Sequence, residues 1–354
     1  MKVHLQVTGA PRQVATDARE LAETGADGLF TFEGPHDVFF PLVVAAGATS
    51  LELMTNVAIA GPRSPMHLAH AAYDLQVYSE GRFRLGLGSQ IRAHIEKRYG
   101  STWGAPAERT AESVAAVREI LAAWEGRAPL NFRGKYFTHT LMPPTFDPGP
   151  NPFGPPPVLM GALGPVMTRK AAEVADGLLV MPFNSARHFT ERTLPALTEG
   201  LRRSGRTADD FPVIAQVMVA LGRTEEALAA AIDGVSALIA FYGSTPAYRP
   251  VLEVEGWAQV HSRLNALSKA GGFAEMRALV TDEMVRRIGV AGTPEECAAQ
   301  ITTRFGAGIE EVCCYFPGYT PDAADVAELV DALRERRDAT APVGVRSGEA
   351  RPRS

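Results

Sequence analysis

Four short segments of the chain carry residue types that could do chemistry. The first, Glu33-Gly34-Pro35-His36-Asp37, follows an apolar run near 28–32. A carboxylate and an imidazole at a strand end could orient a ligand or move a proton. The same residues also read as a loop histidine beside a solvated acid. The second is Thr55-Asn56-Val57-Ala58-Ile59-Ala60-Gly61-Pro62-Arg63-Ser64-Pro65. Its small residues let backbone approach a flat ring closely, although local pattern alone favours an ordinary buried strand before a helix. The third is Arg84-Leu85-Gly86-Leu87-Gly88-Ser89-Gln90. Gly-x-Gly after a strand invites a dinucleotide loop, but the third glycine position is Ile91 and the strand is the fourth, not the first. The glycines read better as letting a cofactor lie across the strand end. The fourth, Gly161-Ala162-Leu163-Gly164-Pro165, feeds an apolar helix with Arg169 and Lys170. Free N–H groups and the helix dipole make such a turn an anion site. A plain βα turn has the same pattern.

Other chemistries find little support. His67 and His70 share a helix face but lack an acidic or cysteine partner at zinc-motif spacing, so no metal is expected. No G-x-S-x-G elbow is present. Cys297, Cys313 and Cys314 are too few for a disulfide framework, and the adjacent pair reads as two buried thiols on a strand. A net charge of -5 gives no pull toward nucleic acid or an anionic membrane. Residues 3–7 already alternate like a strand, which leaves no room for a signal peptide, and no run of 18 apolar residues suggests a membrane span. A cytoplasmic protein acting on a small molecule is expected.

The elements that must position these segments are βα units. Short apolar runs near 3–8, 28–32, 52–60, 83–88, 157–161, 178–182, 212–220 and 311–316 alternate with helical patterns. Eight parallel strands with interposed helices favour a closed (β/α)8 TIM barrel, and 354 residues with 46% hydrophobic content can fill its core. The punctuation agrees: Gly25 caps an amphipathic helix over 12–24, Pro65 opens another, and Thr293-Pro294-Glu295-Glu296 is a capping box. Residues 1–335 read as one domain with insertions at about 130–157 and 224–288. The first holds a hairpin around Arg133-Gly134 and eight prolines between Pro143 and Pro157, which excludes helix or central strand there. Both are expected at the C-terminal barrel face, where barrel sites lie. The second would shape a substrate pocket with Tyr242, Tyr248 and Arg249, unless these only pack helix and loop. Residues 336–354 are polar and expected to be disordered.

In this order the segments resemble the luciferase-like monooxygenase superfamily over roughly residues 1–335, and especially its deazaflavin-dependent branch. The resemblance is carried by Pro65-Met66-His67-Leu68-Ala69 through Asp74-Leu75-Gln76, Ser79-Glu80-Gly81-Arg82-Phe83, Leu85-Gly86-Leu87-Gly88, Trp103, Arg109 to Glu112, Gly134-Lys135-Tyr136, Gly164-Pro165 and Ala175-Asp176-Gly177. It implies a barrel with the cofactor ring at the C-terminal mouth and hydride transfer with coenzyme F420. FMN in a monooxygenase is the alternative, and a non-catalytic flavin-binding barrel a third reading. It further implies a cis peptide at Asn56–Val57 beside Ala58, and a phosphate turn at Leu163-Gly164-Pro165-Val166. Ser89, Gln90 and His94 would contact the cofactor, and Trp103 the substrate. A homodimer is also implied. Sugar-phosphate dehydrogenases of the branch carry an acid directly followed by a catalytic histidine. Here Gly34 follows Glu33, and His36 is the nearest imidazole. Glu33 and His36 are therefore the expected catalytic pair.

Overall fold

The structure is a computed structural model that describes residues 1–7, 11–306 and 309–340. Eight strands form the barrel: β1 (Lys2–Gln6), β2 (Gly28–Thr31), β3 (Glu52–Thr55), β4 (Phe83–Gly88), β5 (Val158–Ala162), β6 (Gly177–Val180), β7 (Val213–Leu221) and β8 (Glu311–Tyr315). All neighbouring pairs are parallel, β8 lies between β7 and β1, and β6 pairs with β7 to close the ring. Strands such as β2 and β6 are buried along their whole length, because the barrel interior covers one face and the helices the other.

Three apolar layers follow from this geometry. Between barrel and helices lies the largest, with Val3, Leu5, Leu29, Leu53 and Phe83 packed on helical residues such as Leu68 and Val114. Inside the barrel, Phe30, Met54, Leu159, Leu179, Ile214 and Cys313 fill the middle. Over the mouth, Met218 and Ala220 of β7 pack under Ala231, Val235 and Ile239 of helix Glu225–Gly243. By length and composition this helix could cross a bilayer, with mean hydropathy 1.4. Here it serves as a roof for the barrel mouth.

Several expectations change on contact with the structure. The apolar run 52–60 is not one strand. It breaks at Asn56–Val57 and resumes as a two-residue strand, Ala58–Ile59, against β4. A short strand, Val290–Gly292, pairs with the end of β7 and was not foreseen. Only the 224–288 insertion reaches the large cavity at the mouth; no residue of 130–157 lines it. The hairpin Phe132–Arg133 with Thr138–His139 is instead strapped to the outer helix Pro106–Trp124, whose Glu112 accepts from the N–H groups of Lys135, Tyr136 and Phe137. The proline-rich stretch then descends toward the opposite end, where Phe153 packs on Gly81 just before β4. The C-terminal helix Ala323–Thr340 runs past Arg336, so residues 336–340 are helical, while 341–354 lie outside the described residues. Cys313 faces the interior and Cys314 the helices, both as free buried thiols.

The closed end of the barrel is ionic. His4, Glu52 and Glu311 bring ligand-type atoms within 4.8 Å of one another, but Arg84 and Lys2 stand among them. The Arg84 guanidinium lies 2.7 Å from Glu311 and 3.1 Å from Glu52, and His4 Nε2 lies 2.8 Å from Glu311. Burial alone would raise the Glu311 pKa, but hydrogen bonds with His4 and Arg84 and the Arg84 charge outweigh it and hold it at about 2. The resulting stabilisation is present above the ordinary value of 4.5 and disappears as pH falls through that value toward 2. Arg84→Leu is expected to cost about 3 kcal/mol at pH 7, because it takes the guanidinium from the largely buried Glu311 and leaves that carboxylate only His4. Denaturant titrations from pH 7 downward should show the deficit shrinking below pH 4.5. A pH-independent deficit would refute this electrostatic account.

Candidate active site

The mouth opens into a cavity of about 980 Å³ walled by the C-terminal strand ends. Phe32 and Glu33 leave β2, Asn56, Val57 and Ile59 leave β3, and Gly88, Ser89 and Gln90 leave β4. The β5 turn from Gly161 to Val166 forms a second side, Gln216 and Tyr315 project from β7 and β8, and Tyr242 and Tyr248 close the cavity from the roof.

Glu33 is tied down by its neighbours. Its carboxylate accepts from Arg63 Nη1 at 2.7 Å, from Arg63 Nη2 at 2.8 Å and from the Ile59 N–H at 3.1 Å. Burial would lower the Arg63 pKa, yet the hydrogen bond and charge of Glu33 raise it overall. Glu33 therefore acts as a fastener between the ends of β2 and β3. His36 does not share its place. Gly34 and Pro35 carry it outward, it is exposed, and it does not line the cavity. The expected Glu33–His36 pair is not assembled.

The exit of β3 builds the floor. The Asn56–Val57 peptide is cis, as the resemblance implied. Val57 lies across two glycines: a Cβ at Gly88 would sit 2.4 Å from Val57 Cγ2, and one at Gly161 would sit 3.0 Å from Val57 Cγ1. Gly88 of β4 and Gly161 of β5 thus make room for a protein side chain, where a cofactor was expected to lie across Gly88. Asn56 is 6% exposed, and its Nδ2 has no hydrogen-bond partner among the described residues. Ala58 is buried in the pairing with Leu87 and does not line the cavity.

Of the other predicted residues, Ser89, Gln90, His94 and Trp103 all line the wall. His94 is the one cavity-lining histidine among the described residues. Its Nδ1 is buried without a partner, and burial, then the Arg98 charge, lowers its pKa, so the ring is neutral at pH 7. Leu163, Gly164, Pro165 and Val166 form the predicted turn, with Gly164 as the N-cap of helix Pro165–Val174. A Cβ at Gly164 would meet nothing within 4 Å, so the turn faces open space. Tyr242 and Tyr248 are in place, but Arg249 is exposed, paired with Glu253 and outside the cavity. Helical periodicity from Tyr248 turns the next residue away. Gln216, Tyr315 and Phe32 were missed. Gln216 had a signal, as a polar residue within the apolar run from Val213 to Leu221, and it is buried against the cavity.

A family model described as luciferase-like monooxygenase matches residues 2–311. The chain belongs to the luciferase-like monooxygenase family. Within this family, a protein of Mycobacterium tuberculosis described as uncharacterized is 45% identical over 316 residues, covering 89% of this chain and 93% of its own. A 5,10-methylenetetrahydromethanopterin reductase of Archaeoglobus fulgidus is 29% identical, covering 80% and 83%. Among solved luciferase-like barrels, the coenzyme F420-dependent tetrahydromethanopterin reductase of Methanopyrus kandleri superposes with a TM-score of 0.76 at 22% identity, over 93% of this chain and 96% of that one. At that identity the likeness shows the fold.

The two strand-two residues should separate cleanly. Glu33→Gln removes a buried charge that faces Arg63, and should cost about 2 kcal/mol in denaturant titration. His36→Ala should leave stability and ligand binding unchanged within twofold. A large loss of binding in His36→Ala alone would place the imidazole in the site after all.

Proposed function

We propose that this chain is an oxidoreductase that holds coenzyme F420 in the mouth cavity and exchanges hydride between it and a small organic substrate. The observation that supports it most is the open helix-N-terminal turn at Gly164 in the same cavity as Val57, whose side chain lies over Gly88 and Gly161, with the buried Asn56 amide beside it. Those features suit a ring with hydrogen-bonding edges that also carries a phosphate. The reductase name of the 29% identical Archaeoglobus fulgidus relative favours hydride transfer over oxygenation, which is why F420 is preferred to FMN here.

When bound, a deazaflavin gives or takes hydride at a ring carbon and activates oxygen poorly, while protein groups supply orientation and electrostatics. Asn56 Nδ2 would donate to a ring-edge acceptor. The N–H groups of Leu163, Gly164 and Val166 would hold the phosphate, helped by the helix dipole, and Pro165, which has no N–H, would shape the turn. His94, neutral at pH 7, would take up or return the proton that goes with hydride exchange. The roof helix limits water at the reacting face.

Parallel titrations of the purified protein with oxidised F420 and FMN test the reading. F420 should bind at least about tenfold tighter. Comparable or tighter FMN binding with oxygen-dependent product formation would make the protein a monooxygenase. Gly164→Val should weaken F420 several-fold with unchanged unfolding, since the added side chain enters open space needed by phosphate; unchanged affinity would remove the turn from the site. Once a substrate is found, His94→Asn should lower kcat at least ~100-fold with F420 affinity kept. A loss confined to F420 affinity would make His94 a cofactor ligand.

A further inference from the structure

One half of the cavity carries no charge. The charged wall residues, Glu33, Arg92, Glu96, Lys97 and Arg98, all come from the end of β2 and the 90–98 segment. The half between β6–β8 and the roof is built by Met181, Leu238, Phe241, Tyr242, Tyr248 and Tyr315. Arg249, the nearest cation in sequence, is spent on Glu253 outside it.

Three phenols stand in this half. Tyr242 and Tyr248 meet edge to face with ring centroids 5.9 Å apart, and both contact buried Phe183 at 5.8 and 6.3 Å. Tyr315 meets Phe32 edge to face at 5.4 Å. Apolar neighbours therefore fix the rings, and none of the three hydroxyls has a hydrogen-bond partner among the described residues. Burial raises the pKa of all three, Tyr248 and Tyr315 to about 12, so they remain protonated donors at neutral pH. Phenol O–H groups that face a cavity and have no neighbour are available to a ligand oxygen. An anion brought here would lose its hydration and meet no lysine or arginine, which is costly.

We infer that this half-cavity selects an uncharged, largely apolar substrate whose oxygen accepts hydrogen bonds from Tyr242, Tyr248 or Tyr315. The inference rests on the oxidoreductase reading above and narrows its substrate, disfavouring sugar phosphates and other anions.

The test uses F420-loaded protein and two neutral ketone probes, acetophenone and 2-acetonaphthone, each labelled with ¹³C at the carbonyl. Saturable binding should move the carbonyl resonance downfield, as expected when its oxygen accepts hydrogen bonds. Glucose 6-phosphate at tenfold excess should not displace the probes. At least one of Tyr242→Phe, Tyr248→Phe and Tyr315→Phe, each keeping its ring, should weaken binding roughly 3- to 10-fold and reduce the shift. Absence of saturable binding for both probes overturns the inference. So does displacement by glucose 6-phosphate, or unchanged affinity and shift in all three variants. F420 affinity measured on the same samples keeps the two readings apart. Failure of F420 to bind, with the ketone shift intact in apo-protein, would sink the cofactor proposal and leave the phenol site standing.

Discussion

The Glu33 carboxylate accepts hydrogen bonds from both Arg63 Nη atoms and from the Ile59 N–H, and through them holds the end of β2 against the exit of β3. Between those anchors the chain leaves regular sheet. The Asn56 N–H still donates to Thr31 O at 2.6 Å, and the Glu33 N–H reaches Val57 O at 3.3 Å, so both sides of the Asn56–Val57 bond are pinned to β2. Val57 can settle over β4 and β5 because Gly88 and Gly161 have no Cβ to meet it. A buried, charge-assisted contact of this kind is roughly twice as strong as a neutral one, which suits it to hold an irregular segment in place. The floor of the cavity, the placing of the buried Asn56 amide and the approach to the β5 turn all depend on it.

The rest of the barrel gives that floor a rigid surround. At the far end, Arg84 joins β1, β3, β4 and β8 through His4, Glu52 and Glu311, so the barrel is sealed by ion pairs there. The middle is closed by Phe30, Met54, Leu159 and their neighbours. The mouth cavity lies above Phe32, Val57, Gln216 and Tyr315, and the helices of 224–288 cover it. The charged residues of the 90–98 segment and the neutral phenols under the roof divide this space into two chemically different halves.

Much of this architecture was legible in the residues. Buried parallel strands read as continuous apolar runs, and capping signals such as Thr293–Glu296 have local causes, so all eight strands and the helix starts stand close to where the sequence put them. The cavity turn at Leu163–Val166 was legible for the same reason: a glycine before a proline-led helix is a local pattern. What failed was side-chain direction. Arg249 follows the wall residue Tyr248 and His36 lies three residues beyond Glu33, but one turn of helix or loop sends each to solvent. Gly88 looked like room for a ligand, yet Val57 from the break after β3 fills it, a contact that no local pattern records. The free hydroxyl of Tyr315 and the amide of Gln216 become functional candidates only once barrel closure brings β7 and β8 to the same wall.

The most direct measurement of the central claim is a crystal structure of the protein with F420. The account predicts the deazaflavin ring lying on Val57 with an edge atom accepting from Asn56 Nδ2, the phosphate at the Leu163–Val166 turn, and the open face of the ring toward Tyr242, Tyr248 and Tyr315. A cofactor seated elsewhere, or one whose phosphate ignores the Gly164 turn and whose ring leaves Asn56 unpartnered, would contradict it.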